Sequence, residues 1–351
     1  MGMIPDELFL AYGLDPAADI AKFGDGLIHD TYLYVLGEVK LVIQRLNHHV
    51  FKDIRSLMKN IGKVEDHIRI AHPHAVFVSF LTTASGENAI EFDGYFWRIM
   101  HYIKNSHSYE RLTHPDQAIE AGKMVGEFHS QLAGMNPGTL VDTIPSFHDL
   151  SVRYQKFMTV VGEDPCSRLA GCSEEVEFLK NNGEAVLQWQ IEIKLPKRVT
   201  HNDTKLNNML FDDLGKGICM VDLDTMMSGE IIFDTGDVLR TMCNPSGEDG
   251  RMGPVGFDTL VYHNFIKGYL SATTGTLTHR ELLAIPDSMV RMALEQAIRF
   301  LTDHLEGDIY YKQPYAGFNL VSVQTQIAFI KLVSRHLPLL REELSDKLLK
   351  A

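Results

Sequence analysis

The chain has 351 residues, 45% of them apolar, which suits about two domains and a sizeable buried core. A formal net charge of −13 argues against nucleic acid or an anionic membrane surface as partner, because both favour basic patches, and it is compatible with a cationic substrate. No stretch approaches the ~20 apolar residues that cross a bilayer, no basic stretch leads into an apolar signal core at the N-terminus, and the four cysteines lack zinc-site or redox spacing, so reduced thiols in the cytoplasm are expected.

In chain order, a short helical start is expected around Glu7 to Tyr12. The turn Gly24-Asp25-Gly26 then leads into strands at Tyr32–Leu36 and Val39–Ile43, which flank Gly37-Glu38 as a hairpin. A helix follows from about Asp53 to Ala71, with Ile54, Leu57, Met58, Ile61, Val64 and Ile68 at helical spacing. Asp93-Gly94 is a tight-turn signal between strands Ala89–Phe92 and Tyr95–Met100. The remainder reads as mainly helical, with apolar repeats at three- and four-residue intervals over Gln117–Leu132, Leu260–Leu270, Met289–Leu305 and Val321–Leu337. Together these elements predict an α+β chain with a small antiparallel-sheet region ahead of a helical one. Neither His48-His49 nor His72-Pro73-His74 has acidic or cysteine companions at ligand spacing, and no zinc site is expected.

The chemistry is concentrated between residues 199 and 224. His201, Asp203, Lys205 and Asn208 share one short loop, and two strand-like runs, Met209–Phe211 and Ile218–Val221, flank the turn formers at 212–217 and end on Asp222. Phosphoryl transfer asks a protein to orient a hydroxyl, hold Mg²⁺ against phosphates and spread developing charge. Asp203 is placed to take the hydroxyl proton, Asn208 to offer an amide oxygen to the metal, Lys205 to neutralise the γ-phosphate, and Asp222 to supply the charged metal ligand. Asp224 lies two residues further along and is either a second metal-site carboxylate or a member of a supporting network. The plainer reading is that Asp203 and Asn208 cap turns, but H-x-D-x-x-x-x-N followed by a hairpin and an aspartate is a composite pattern that chance seldom produces.

This segment resembles the Brenner-type motif of the aminoglycoside phosphotransferase and choline kinase superfamily. Gly24–Tyr32, Ile43–Asn47, Ile144–Asp149, Asp222–Thr225, Arg299–Asp303 and Gly307–Tyr310 further resemble the N-acetylhexosamine 1-kinases. The resemblance implies a protein-kinase-like fold of two lobes, residues 1–103 holding the nucleotide and 104–351 carrying the catalytic loop and substrate site. It implies ATP and Mg²⁺ as cofactors, a small sugar as partner, and phosphorylation of the anomeric hydroxyl of GlcNAc or GalNAc. Gly24 and Gly26 would then close over the nucleotide, and the backbone from Met100 through His101 and Tyr102 to Ile103 would meet adenine. Arg299 and Asp303, at i and i+4, with Tyr310 beyond the turn, would recognise the sugar, although an intrahelical salt bridge beside a core tyrosine satisfies the same spacing. His29, Asp30 and Asn207 are further cleft candidates, His201 is expected to brace the loop, and Asp237 to cap the next helix and secure it.

One residue departs from the wider superfamily. Gln44 stands where the pattern has a strand lysine or arginine, and Arg45 points to the opposite face, so Glu65 on the following helix is either an acidic partner without its cation or a solvated helix residue. The alternatives to sugar phosphorylation are transfer to an aminoglycoside, choline or another sugar, and a catalytically silent nucleotide-binding protein.

Overall fold

The computed structural model describes residues 4–24 and 28–350. After helix α1 (Asp6–Ala11), strands β1 (Asp19–Lys22), β2 (Asp30–Leu36) and β3 (Val39–Leu46) run antiparallel, followed by α2 (Ile54–Ala71) and the hairpin β4 (Ile90–Phe92) and β5 (Tyr95–His101). The five strands form one antiparallel sheet in the order β1-β2-β3-β5-β4. Gly37 and the Asp93-Gly94 pair all have positive φ, the conformation that tight hairpin turns demand. Asp53 caps α2 by accepting the Ser56 N–H at 2.9 Å.

Alternation along the strands sorts side chains between the two faces of the sheet. Leu41, Ile43, Trp97 and Ile99 join Leu8, Phe9, Tyr12 and Tyr34 in a small core under α1, separate from the main core of the molecule. The opposite face of β3 and β5 presents Gln44 and Arg98, direct partners across the two strands, towards α2.

The rest of the chain is helical around short strands. Helices α3 (Gln117–Gln131), α4 (Leu150–Glu163) and α5 (Ser173–Ile193) precede β6 (Arg198–Thr200), the hairpin β7 (Met209–Phe211) and β8 (Gly217–Met220), and β9 (Met227–Gly229), which pairs with β6. Helices α6 (Ile231–Met242), α7 (Thr259–Ala272), α8 (His279–Leu283), α9 (Ile285–Glu306) and α10 (Phe318–Lys350) complete it. Nearly all of α6 is buried. Helices α3 and α7 touch backbone to backbone: a Cβ on Gly268 would lie 2.0 Å from the Ile119 carbonyl oxygen. Among the described residues, no helix is long and apolar enough to cross a membrane.

Candidate active site

Strand β6 feeds the loop 201–208, which α6 holds from beneath. Asn202 takes a left-handed turn at φ 66°, and the N–H groups of His201 and Asn202 donate to the Asp234 carboxylate at 2.9 and 2.6 Å. The same buried carboxylate meets His129 Nε2 at 2.8 Å, and the other nitrogen of that ring meets the Tyr269 hydroxyl at 2.8 Å. Burial opposes ionisation of Asp234, but His129, His201 and the loop N–H hold its pKa below the usual carboxylate value. The expected anchor, Asp237, lies one turn further on inside α6 and pairs with Arg240 at 2.7 Å, so loop-securing falls to Asp234 instead. His201 braces the loop: its Nε2–H donates to the Val221 carbonyl at 2.9 Å, and Nδ1 accepts the Asp203 N–H at 3.3 Å.

This mounting brings Asp203, Lys205, Asn208 and Asp222 to one place. Asn208 Nδ2 donates to the Asp203 carbonyl and to its Oδ2, at 2.9 and 3.0 Å, which fixes the carboxylate and leaves the asparagine Oδ1 without a partner among the described residues. Lys205 Nζ lies 3.6 Å from Asp203 Oδ1 and 4.0 Å from Glu248, and those two carboxylates raise its pKa, keeping it charged. Glu248 is itself tied to Arg240 at 2.9 Å; although desolvation opposes it, Lys205 and Arg240 lower its pKa to about 2.

Asp222 has the left-handed conformation, φ 61°, and its carboxylate makes no hydrogen bond among the described residues. Desolvation by the cleft, together with the Asp224 and Asp203 charges, pushes its pKa up to about 6. An unpaired carboxylate among acidic neighbours and a free amide oxygen are hard donors, a set that fits Mg²⁺ completed by phosphate and water. Among the described residues, no three His, Cys, Asp or Glu side chains converge as a metal cage.

Asp224 is not part of that donor set. Its Oδ1 accepts Arg98 NH1 at 2.5 Å, and its Oδ2 accepts Arg98 NH2 at 3.0 Å and His29 Nε2 at 2.6 Å, all three groups being buried. Of the two readings open for Asp224, this is the network one. Gln44 Oε1 accepts two further Arg98 donors, at 2.9 and 2.7 Å. Glu65 has no cationic partner among the described residues, whereas Arg45 turns outward to Asp30 and the Tyr95 ring, which removes Asp30 from the cleft. Asn207 is exposed.

At the edge of the sheet, the N–H groups of His101 and Tyr102 are taken by the carbonyls of Ser79 and Lys40, at 3.1 and 3.4 Å, and Met100 is paired within the sheet. The Ile103 N–H has no partner among the described residues. Gly24 has φ 70°, and the neighbouring Phe23 ring stands edge-on to Tyr102 at 6.0 Å. Gly26 lies outside the described residues.

Arg299 lies over the Phe147 and Tyr311 rings, 5.2 and 5.8 Å from their centroids. It lines a cavity with Arg153, Asp303, Tyr310 and Tyr311. Asp303 departs from expectation. Its oxygens accept the backbone N–H groups of Ile309, Tyr310 and Tyr311 and the Asn319 amide, at 2.7–3.1 Å, so it anchors the loop after α9 rather than offering a carboxylate to a ligand or to Arg299. Tyr310 is 60% exposed at the rim, while the Tyr311 hydroxyl is buried without a partner among the described residues. The sequence reading missed Arg98, Asp234, Glu248 and Tyr311; only Asp234, in the same Phe233–Asp237 run as Asp237, carried a local signal.

Solved structures share this arrangement of sheet and helices. An aminoglycoside phosphotransferase from Alicyclobacillus acidocaldarius subsp. acidocaldarius DSM 446 superposes with a TM-score of 0.68 at 12% identity, over 99% of this chain and 98% of that one. A microcompartment-associated aminopropanol kinase gives 0.65 at 12% identity over 95% and 96%. The APH(2")-IIa protein in its ternary complex with streptomycin and ATP gives 0.58 at 14% identity over 93% and 97%. At these identities the likeness is one of fold. Residues 19–280, more than half of the sequence, match one family, and the chain belongs to that phosphotransferase enzyme family.

Proposed function

We propose that the protein transfers the γ-phosphoryl group of ATP to a small hydroxylated acceptor, specifically to the anomeric hydroxyl of an N-acetylhexosamine. The observation that carries phosphoryl transfer is the meeting of Asp203, Lys205, Asn208 and Asp222 around one loop. Asp203, its rotamer fixed by Asn208, receives the proton of the acceptor hydroxyl, and Lys205 neutralises charge on the phosphoryl oxygens. Asn208 Oδ1 and the Asp222 carboxylate would hold Mg²⁺, which when bound supplies charge neutralisation at the phosphates. The unpaired Ile103 N–H supports a backbone donor for adenine at that point and, with it, a lobe division between residues 103 and 104.

The acceptor wall favours a neutral sugar over an aminated one. Arg299 lies over the Phe147 and Tyr311 rings, an arrangement that supports a sugar ring face and an amide or hydroxyl oxygen as its ligand. Of the acids lining this cavity, Asp303 is bound to backbone donors and Glu306 pairs with Lys156 at 2.7 Å, so neither stands as a bare carboxylate for an ammonium group. ADP release with Mg-ATP and a panel of GlcNAc, GalNAc, glucose, galactose, choline and kanamycin, with ³¹P NMR of the product, tests both levels. An anomeric phosphate on an N-acetylated sugar is the expected result. Phosphorylation of choline or kanamycin alone refutes the sugar assignment and keeps the transferase.

A further inference from the structure

We infer that Arg98, on β5, has taken over the position vacated by the lysine expected at Gln44, and that it acts by gripping Asp224 rather than by touching phosphate. This rests on the nucleotide-binding reading of the cleft. Gln44 and Arg98 are register partners on adjacent antiparallel strands, so their side chains leave the same face side by side. The guanidinium is 1% exposed. Its Nε and NH2 donate to Gln44 Oε1, NH2 and NH1 to the two oxygens of Asp224, and NH1 also meets Met58 Sδ at 3.7 Å. A guanidinium has five N–H donors, and these contacts engage all five. None remains for a nucleotide.

The acidic partner has changed sides as well. Asp224 lies two residues beyond Asp222, on the helical side of the cleft, whereas Arg98 is in the sheet and His29 just ahead of β2. His29 Nδ1 accepts the Asn47 N–H at 3.0 Å, so its proton is on Nε2 and donates to Asp224. His29 immediately precedes β2. One carboxylate therefore fixes the sheet through Arg98 and the entry to β2 through His29, both against the backbone that presents Asp222. An ion pair within the sheet region would set only that region, while this one sets the spacing of the phosphate-facing parts. Arg98, His29 and Asp224 are positioning residues.

The test is a charge-relocation cycle in the full-length protein: R98Q, Q44K and Q44K/R98Q, followed by calorimetric binding of Mg-ADP, melting temperature, and KM values for ATP and acceptor. R98Q should weaken Mg-ADP about tenfold or more, because it removes the guanidinium from buried Asp224 and leaves it the His29 N–H alone. It should raise KM for ATP while leaving the acceptor KM unchanged. Q44K should also weaken binding, since two buried cations then face one carboxylate. In the double variant the introduced lysine reaches Asp224 from the neighbouring strand, and binding should recover about tenfold over R98Q, a non-additivity that a merely structural arginine does not produce. A double variant no better than the weaker single overturns the inference, as does an R98Q protein that binds like wild type. If R98Q does not fold, R98K and D224N take its place, and Mg-ADP binding within twofold of wild type in both refutes the grip. Wild-type protein that fails to bind Mg-ADP removes the nucleotide reading itself, a different failure from an unaffected R98Q.

Discussion

Replacing Asp234 by asparagine is a severe test of how the catalytic loop is held. The carboxylate accepts from two backbone N–H groups at 2.9 and 2.6 Å and faces His129 Nε2 at 2.8 Å, with no exposure to solvent. Asparagine keeps the shape but offers one acceptor oxygen and turns an NH₂ group towards donors. At least one buried donor is orphaned, at roughly 1–3 kcal/mol, and the remaining bonds lose their charge, at about 1 kcal/mol more. The total of roughly 2–4 kcal/mol should lower the melting temperature by about 3–5 °C. Turnover should fall ~100-fold, because His201 and Asn202 are the residues that aim Asp203 and a displacement of about 1 Å is enough. The effect has a defined pH dependence. The Asp234 pKa is depressed in the folded state, so its contribution is complete above the ordinary carboxylate range and is lost as pH falls through the depressed value. The stability gap between wild type and D234N, measured by urea unfolding, should therefore be full at pH 7 and narrow below about pH 4. A variant that melts within 1 °C of wild type and keeps its turnover would falsify the anchoring argument.

Three further outcomes are expected. D203N should lose at least ~100-fold in turnover while Mg-ADP binding stays nearly unchanged; undiminished turnover removes Asp203 as the base. R299Q should raise KM for the acceptor about tenfold with little change in KM for ATP, and a selective loss of ATP binding instead contradicts its place in the acceptor wall. G268V forces atoms into a backbone contact where even a Cβ would be 2.0 Å from the Ile119 carbonyl, and it should cost roughly 1–3 kcal/mol in thermal or urea unfolding. Wild-type stability in that variant contradicts the close α3–α7 contact.

What the sequence disclosed was set by distance along the chain. The catalytic loop and the β7–β8 hairpin were readable because donors, turn formers and Asp222 occur within about two dozen residues. Helix α2 was readable because one face is apolar and the other wet. Helix α6 was legible only as a helix opening at Asp237; its true start at Ile231 was not, because Asp237 and Asp234 both lie inside it and are buried rather than capping it. Helix α5 was hidden because only Val176, Leu179 and Gly183 of its residues are buried. The partnership of Gln44 with Arg98 depends on strands pairing across α2 and the β4–β5 turn, which no local pattern encodes. Asp303 misled because helical spacing places it beside Arg299, whereas its four donors come from beyond the end of the helix.

The separate core beneath α1 bears on how the molecule comes apart. Leu8, Phe9 and Tyr12 grip only the outer face of the sheet, through Tyr34, Leu41, Ile43, Trp97 and Ile99, while α6, which carries the anchor of the catalytic loop, lies inside the main core. Amide protons of α1 and β1 should therefore exchange with deuterium through a shallow local opening, and those of α6 only through the deepest one. The N-terminal segment can therefore open while the catalytic loop is still in place.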